Sequence, residues 1–217
     1  MGSLMHNKEV VTDIVLIDII NFSLLDPEKQ LQIIEFTTRS YQKILKKTLE
    51  SAQIELHEFI LGYIPTGDGF YCLLQPRFKG FGVILGLSFH HLSEEISKKF
   101  SYFHGIRIAV HTGSLYEFTD ILNNKNFIGS GLNDCARYLS NSEFSISTVM
   151  VSQSAYDNLK SFLQTHPQYD NILNQRDFKH SQAYTFYDKH GNEKRGYRVW
   201  LRKSGIITPP SREKQQF

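Results

Sequence analysis

Two aspartates at the ends of predicted strands are the residues of this sequence best suited to chemistry. Asp18 closes an apolar run that begins at Val10, and Asp68 lies between Gly67 and Gly69 after a second apolar run. Each carboxylate therefore stands where a strand meets a turn. Two carboxylates brought together by a sheet can hold one or two hard divalent cations beside a triphosphate. The pair predicts an enzyme of nucleotide chemistry.

Each of these residues also has a plain structural interpretation. An aspartate after a strand is more often a turn former or a helix cap than a metal ligand. The run Gly67–Gly69 is a good hairpin turn by itself. Asn133 and Arg137, four residues apart on a predicted helix, share one face that could simply be solvated. Only the joint order of the four residues along the chain favours a catalytic role.

Composition favours one folded domain and gives little indication of partners. The chain has 217 residues, of which 41% are hydrophobic, and this is enough for a full core. A net charge of +2 gives no argument for nucleic acid or membrane binding. No segment approaches the roughly 18 consecutive apolar residues of a membrane span. The two cysteines, Cys72 and Cys135, predict reduced thiols. The start of the sequence has no signal-peptide pattern, and we therefore expect a cytoplasmic protein.

The elements that must position these residues follow in the order strand, helix, strand, strand, helix, strand. This order predicts an α+β fold, an α/β sandwich with a ferredoxin-like βαββαβ core and C-terminal additions. We expect one domain over residues 8–202 and a disordered tail over residues 203–217.

The bounds of these elements come from local signals. Asp26 and Pro27 predict the start of a helix that runs to about Ser51. Its predicted apolar stripe consists of Leu31, Ile34, Ile44, Leu45 and Leu49. Strands are predicted over residues 10–20, 54–64, 70–74, 106–111, 148–151 and 197–201. Further helices are predicted over 81–100, from 129 and from 152 to about 163, with a polar loop over 123–126. Residues 165–188 show no clear pattern.

In this order, four motifs resemble those of the catalytic domain of class III nucleotidyl cyclases. The family pattern has Asp-Ile-x-x-Phe-Ser/Thr after the first strand and Gly-Asp in the central hairpin. It continues with His-x-Gly after a later strand and Gly-x-x-x-Asn-x-x-x-Arg at the start of a helix. The matching segments are Asp18–Ser23, Gly67–Asp68, His111–Gly113 and Gly129–Arg137. The resemblance covers most of the chain up to about Val151.

The resemblance implies a homodimer with active sites at the subunit interface and two Mg²⁺ or Mn²⁺ ions in each site. Asp18 and Asp68 match the metal-binding aspartates, and the backbone of Ile19 matches a residue that touches metal or phosphate. Asn133 and Arg137 match the pair that the partner subunit supplies to orient the ribose and to stabilise charge on the transferred phosphoryl group. The ribose 3′-oxygen then attacks the α-phosphorus, and pyrophosphate leaves.

Three further residues belong to these motifs or follow them. Phe22, within the first motif, is expected to contact the substrate. His111 is better interpreted as a structural histidine at a strand end than as a base. A lysine before the last strand binds the triphosphate in the family, and Lys189 is the nearest match here, with Lys194 as its competitor.

Two positions that set base choice in the family differ from those of purine cyclases. Four residues before the second metal aspartate, where adenylate cyclases have lysine and guanylate cyclases glutamate, stands Ile64, next to Tyr63. Three residues before Gly129, where aspartate or a cysteine-like residue is common, stands Asn126. Isoleucine cannot form hydrogen bonds with the edge of a purine base. A bulky Tyr63 would narrow the base pocket, unless it is only an aromatic residue packed on the strand. The side-chain amide of Asn126 can both donate and accept a hydrogen bond.

This pattern is similar to that of the pyrimidine cyclases of bacterial Pycsar antiphage systems. The resemblance implies that UTP or CTP, with a slight preference for UTP, is converted to the 3′,5′-cyclic mononucleotide. That product would act as a second messenger on a separate effector protein in antiviral defence. Two alternatives remain: an atypical adenylate cyclase that makes cyclic AMP, and a non-catalytic module that binds nucleotide.

Overall fold

The computed structural model describes residues 9–139, 148–188 and 190–211, which form one mixed sheet of nine strands with helices on both faces. No helix in these ranges is both long enough and apolar enough to cross a membrane. The strands are β1 (Glu9–Ile19), β2 (Ile60–Pro65), β3 (Gly69–Leu74), β4 (Ile106–Thr119), β5 (Lys125–Ile128), β6 (Val149–Ser152), β7 (Phe178–His180), β8 (Tyr184–Tyr187) and β9 (Glu193–Leu201). The α-helices are α1 (Pro27–Ala52), α2 (Leu56–Phe59), α3 (Gly82–Lys99), α4 (Ser130–Leu139), α5 (Gln153–Thr165) and α6 (Pro167–Gln175).

The strand order confirms the predicted α+β fold with a ferredoxin-like core. The main path of the sheet runs β2-β3-β1-β4-β6-β9-β7, and β5 and β8 pair with β4 and β9. Strands β1 to β4 with helices α1 and α3 form the βαββαβ unit, in which β1 pairs antiparallel with both β3 and β4. Strand β6 then adds parallel to β4, and β9 adds antiparallel to β6. These later strands are the C-terminal additions.

Strand β1 lies at the centre of the core and is buried on both faces. Its side chains alternate, so that Val15 and Ile17 face the helices α1, α3 and α5, while Ile14 and Leu16 face α4. All four side chains are at most 4% exposed. The same alternation puts Asp18 on the α4 face, at the C-terminal end of the strand.

A second aspartate of β1 has a structural role that the sequence does not reveal. Asp13 is fully buried, and its Oδ2 accepts hydrogen bonds from the backbone N–H groups of Gly80 (2.7 Å) and Gly82 (2.9 Å). The hydroxyl of Thr112 donates to its Oδ1 at 2.6 Å. Burial raises the pKa of Asp13, and these hydrogen bonds oppose that rise. Asp13 therefore fastens the start of α3 to the middle of the sheet.

Helix α1 begins as predicted, and four of the five residues of its predicted apolar stripe, Ile34, Ile44, Leu45 and Leu49, pack on the core. The Asp26 side chain accepts a hydrogen bond from the backbone N–H of Lys29 at 2.9 Å, which confirms it as the N-cap. The buried face includes Ile33 and Tyr41, whereas Leu31, predicted to lie in the apolar stripe, is 59% exposed. The ring of Tyr41 contacts Phe89 of α3 at a centroid distance of 4.7 Å. This ring contact joins α1 to α3.

Other elements also differ from the prediction. The segment before β2, predicted as strand from residue 54, forms α2, because Glu55 and Glu58 make a reciprocal capping box there. Strand β4 does not end at His111 but continues to Thr119, and β5, whose first two residues fall in the predicted polar loop, pairs with it. Helix α6 and strands β7 and β8 fill the stretch without a clear pattern.

The first part of the predicted disordered tail is packed. Ile207 is 4% exposed, and its backbone N–H donates to the hydroxyl of Ser88 on α3 at 3.1 Å. The side chain of Arg176 donates to the carbonyls of Ser204 and Ile206. These contacts hold residues 204–207 against the domain. Residues 212–217 lie outside the described part of the chain.

Candidate active site

The structure brings Asp18 and Asp68, here called the acid pair, to the same end of the sheet. Asp18 pairs in register with Gly69 on β3 and with Arg107 on β4. Asp68 lies in the turn between β2 and β3, and its backbone carbonyl accepts a hydrogen bond of 2.8 Å from the N–H of Ile19. The turn is thus fastened to the end of β1 through Ile19, the residue that directly follows Asp18.

The two glycines that flank Asp68 are required by this geometry. Gly67 has φ of +96°, a left-handed conformation that side chains disfavour. A Cβ atom at Gly69 would lie 1.9 Å from the carbonyl oxygen of Ile17. Glycine at both positions therefore lets the turn press against β1 and present Asp68 beside Asp18.

The charges of the acid pair interact. The Asp18 side chain is 16% exposed, and burial raises its pKa. The guanidinium of Arg107 lowers the pKa of Asp18, while the neighbouring Asp68 carboxylate raises it, and the net shift is upward. Two carboxylates that repel one another in a partly buried corner form a donor set that suits a hard divalent cation.

The acid pair alone does not complete a metal shell. Among the residues that the structure describes, no group of three or more histidine, cysteine, aspartate or glutamate side chains could hold a metal ion. A bound Mg²⁺ or Mn²⁺ would need further oxygen ligands from the backbone, water or a phosphate. The residues present fit an ion that binds together with a nucleotide.

A second charged group, here called the α4 charge cluster, joins Asp134 and Arg137 of α4 to Asp188 of the β8–β9 turn and Lys194 of β9. Asp134 accepts from Arg137 Nη1 and from Lys194 Nζ, at 2.5 and 2.9 Å. Arg137 Nε also lies 3.2 Å from Asp188 Oδ2. Asn133, on the same helix, is exposed. The structure thus places the two basic side chains side by side.

Asp188 anchors this cluster in the turn between β8 and β9. Desolvation acts to raise its pKa, but hydrogen bonds from the backbone of Asn192 and His190 and the charge of Arg137 outweigh it and lower the pKa to about 2. The carboxylate is therefore a permanent negative charge at neutral pH. It holds Arg137 towards the β8–β9 turn.

The acid pair and the α4 charge cluster occupy different parts of the domain. Strand β9, which carries Lys194, is three positions from β1 in the sheet, a separation of roughly 14 Å at the usual spacing between strands. The Asp18 side chain accepts from Arg107 on β4, whereas Arg137 pairs with Asp188 in the β8–β9 turn. Within one chain, the residues predicted to bind metal and the arginine predicted to bind phosphate therefore have separate partners.

The residues predicted to select the base lie on opposite faces of β2. Ile64 is opposite Tyr71 in the pairing and packs on the α4 side of the sheet, the same side as Asp18. Tyr63 packs on Phe70, at a centroid distance of 5.0 Å, on the α1 side and is 53% exposed. Because side chains alternate along a strand, the structure does not bring Tyr63 to the acid pair, and the expected narrowing of a base pocket by Tyr63 has no support in this geometry.

Asn126 lies in β5 rather than in a loop. Its Oδ1 accepts a hydrogen bond from the backbone N–H of Phe127 at 2.8 Å. The ring of Phe127 packs so closely on Gly62 that a Cβ there would lie 2.3 Å from it. This packing puts β5 beside β2, two residues from Ile64, so the elements that carry the two predicted selectors are in contact.

The remaining predicted residues are placed as follows. Phe22 lies in a 3₁₀ turn just after β1 and packs against the core on the α1 side. Lys189 lies outside the described residues, whereas its competitor Lys194 joins the α4 charge cluster. His111 stacks on Tyr138, and burial lowers its pKa to about 4, so the ring is neutral at pH 7. A neutral, packed imidazole agrees with a structural role.

Three charged residues of these clusters were not predicted. Arg107 interrupts an otherwise apolar strand, and that isolated charge was the signal for it. Asp134 directly follows Asn133, and Asp188 ends the stretch that shows no clear pattern, so neither position is distinctive in the sequence. Their partners depend on strand register and helix packing, which the sequence does not show.

Comparison with known proteins identifies the fold. No family model and no curated protein matches the sequence. The guanylyl cyclase Cya2 superposes with a TM-score of 0.65 over 94% of this chain and 100% of its own, at 12% identity. The guanylate cyclase domain of RhGC from Catenaria anguillulae, solved with GTP, gives a TM-score of 0.63 over 90% of this chain and 100% of its own, at 18% identity.

A bacterial light-regulated adenylyl cyclase gives a TM-score of 0.57 over 94% of this chain and 55% of its own, at 11% identity. Structures described as guanylyl and as adenylyl cyclases therefore share this architecture. The chain has the fold of class III nucleotidyl cyclase domains.

Proposed function

We propose that the protein is a nucleotide cyclase that converts a pyrimidine nucleoside triphosphate, UTP in preference to CTP, to the 3′,5′-cyclic mononucleotide and pyrophosphate. The observation that carries the proposal is the acid pair on a cyclase fold. Asp18 lies at the end of β1 and Asp68 in the β2–β3 turn, and the N–H of Ile19 and the glycines around Asp68 hold them together.

The acid pair would hold two Mg²⁺ or Mn²⁺ ions, with the backbone of Ile19 beside them. When bound, the ions lower the pKa of the attacking 3′-hydroxyl and neutralise triphosphate charge. Asp18 and Asp68 contribute by fixing the position of the reacting phosphate relative to the end of β1. Phe22, which follows at once after β1, is proposed to line the substrate site through its backbone, since its ring packs into the core.

Asn133 and Arg137 are proposed to act on the site of a second copy of the chain. Asn133 is exposed, and Arg137 is directed to the β8–β9 turn rather than to the acid pair of its own chain. In a two-fold dimer, each chain would supply an acid pair to one site and the Asn133–Arg137 pair to the other. Arginine suits this task because its planar fork donates two hydrogen bonds to phosphoryl oxygens.

Lys194 is the better candidate for the triphosphate among the two lysines near the C-terminus. Its ammonium lies 2.9 Å from Asp134, which also binds Arg137. Lys194 and Arg137 would therefore reach the same nucleotide together. Lys189 remains the alternative.

Ile64 and Asn126 support the choice of a pyrimidine. Ile64 offers no hydrogen bond to a base, so the lysine or glutamate contacts of purine cyclases are missing. Because the Oδ1 of Asn126 is engaged by the N–H of Phe127, its NH₂ group is the part that a base can meet. An N–H donor complements the O4 carbonyl of uracil and not the 4-amino group of cytosine, which favours UTP.

We also propose that the cyclic product acts as a second messenger on a separate effector protein in antiviral defence. This proposal rests on the resemblance of the selector positions to those of pyrimidine cyclases. It requires a cytoplasmic homodimer and no nucleic acid or membrane partner.

A direct assay tests the proposal. Purified protein is incubated with each of the four nucleoside triphosphates in Mg²⁺ and in Mn²⁺, and products are identified by mass spectrometry. We expect cyclic UMP first, cyclic CMP second, and purine turnover at least about tenfold lower, a difference of roughly 1.4 kcal/mol. Cyclic AMP as the main product would replace the proposal with an atypical adenylate cyclase. Nucleotide binding with no product from any triphosphate would favour a non-catalytic module.

A further inference from the structure

Arg107 makes a two-pronged contact with one of the two proposed metal ligands. It faces Asp18 directly across the β1–β4 pairing. Its Nε and Nη2 lie 2.7 and 2.5 Å from the same oxygen, Oδ2 of Asp18. The Asp18 side chain is mostly shielded from solvent, whereas that of Arg107 is 38% exposed. The guanidinium thus covers this carboxylate from the solvent side.

Through this contact, Arg107 supplies a positive charge that partly neutralises the acid pair. Asp68 directly precedes Gly69, the partner of Asp18 in the β1–β3 pairing, and its charge acts on Asp18, so the two carboxyl groups are close neighbours. Without a cation, two like charges in a partly buried corner destabilise the fold. Arg107 relieves that repulsion, but its single positive charge also repels an incoming divalent ion and occupies an oxygen that the ion needs.

We propose that Arg107 is a positioning residue that competes with the divalent cation for Asp18, so that metal binding requires the guanidinium to release the carboxylate. The proposal rests on the metal site of the proposed function. It predicts opposite effects of removing the charge: the metal-free protein becomes less stable, and the affinity for the ion rises. A residue with only a structural role would lower both.

The test measures Mn²⁺ binding without nucleotide, from the loss of the electron paramagnetic resonance signal of free Mn²⁺. Wild-type protein is compared with Arg107→Gln and Arg107→Lys, and with Arg39→Gln as a matched control, since Arg39 pairs with Glu35 on the exposed face of α1. Arg107→Gln should bind Mn²⁺ at least about tenfold tighter than wild type, in line with the removal of a neighbouring like charge. Arg107→Lys should lie between the two, and Arg39→Gln should match wild type.

Thermal unfolding of the same proteins gives the second measurement. Arg107→Gln should unfold at a lower temperature than wild type without metal, and should gain more in melting temperature on addition of Mn²⁺. Adding Asp68→Asn to Arg107→Gln should abolish the gain in Mn²⁺ affinity.

The outcomes separate this inference from the proposed function. One outcome is that Mn²⁺ binding depends on Asp68 but folded Arg107→Gln binds the ion no more tightly than wild type. That result would overturn the proposed competition by Arg107 and leave the metal site intact. No binding by either protein would also overturn it, because removal of a competitor must expose the site. Binding that is insensitive to Asp68→Asn would contradict the metal site itself.

Discussion

The acid pair and the α4 charge cluster contain the same kinds of side chain in reversed roles. At the end of β1, two carboxylates are the proposed ligands, and one guanidinium, that of Arg107, neutralises them. On α4, Arg137 and Lys194 are the proposed ligands of phosphate, and Asp134 and Asp188 neutralise them. Each half of the site therefore carries its own counter-charge when the chain is alone.

The two regions differ in how their carboxylates are held. The pKa of Asp18 is raised by burial despite its pairing with Arg107, whereas hydrogen bonds from the backbone of Asn192 and His190, together with the charge of Arg137, lower the pKa of Asp188 to about 2. We therefore expect the acid pair to exchange its partner for a divalent cation, and the α4 charge cluster to keep its arrangement. A site that is assembled from two chains needs both: a place for the ion to enter and a preformed set of donors for the phosphate.

Removing one carboxylate from each region should give the largest difference in activity between the two regions. Asp68→Asn removes a proposed metal ligand and should lower cyclic UMP formation by about a thousandfold, in the range seen when a charge-stabilising group is lost from an active site. Asp134→Asn removes only a counter-charge and should change the rate by less than about tenfold. Steady-state rates with UTP and Mn²⁺ measure both, with circular dichroism as the control for folding. Equal effects of the two substitutions would show that the roles assigned to the two regions are wrong.

Acid should lower the stability of the fold through His111, which stacks on Tyr138 of α4. Because the pKa of this imidazole in the fold is about 4, below its ordinary 6.5, the unfolded chain takes up a proton first as the pH falls. The fold therefore loses stability between pH 6.5 and pH 4, by about 3 kcal/mol at most for this residue.

Urea unfolding as a function of pH measures this loss. In His111→Gln the fall in the free energy of unfolding between pH 6.5 and pH 4 should be shallower than in wild type by about that amount. Parallel curves for the two proteins would mean that the ring titrates normally and is not buried under Tyr138.

The smallest expected effect concerns how Asn126 recognises the base of the substrate. Asp in place of Asn126 can still accept from the N–H of Phe127 with one oxygen, and its other oxygen can accept from the 4-amino group of cytosine. Asn126→Asp should therefore shift the ratio of kcat/KM for UTP and CTP about tenfold towards CTP, or roughly 1.4 kcal/mol. Asn126→Ala should lower both rates without reversing the preference. An unchanged ratio in Asn126→Asp would remove Asn126 from the base site.

Much of the core could be predicted because its signals are local. The β-branched run of β1, the Asp26–Pro27 start of α1 and the glycines around Asp68 each determine their own element. The same holds for the two aspartates, since a strand end followed by a turn is visible in the sequence.

What the sequence did not show depends on register and packing. The contact of Tyr41 with Phe89 depends on how α1 packs on α3, and the pairing of Arg107 with Asp18 follows from the β1–β4 register. Neighbours on a strand face opposite sides of the sheet, so Tyr63 and Ile64 do not face one pocket together. Asp188 was missed because its partner Arg137 is distant in sequence.

The central claim is that one chain carries two half-sites that are complete only in a dimer, and complementation tests it most directly. Asp68→Ala and Arg137→Ala should each be inactive with UTP. Mixed under conditions of subunit exchange, they should recover up to about a quarter of wild-type cyclic UMP formation, because half of the dimers are mixed and each mixed dimer has one intact site. No recovery, with exchange shown by mass spectrometry of differently tagged chains, would mean that each site is built within a single chain.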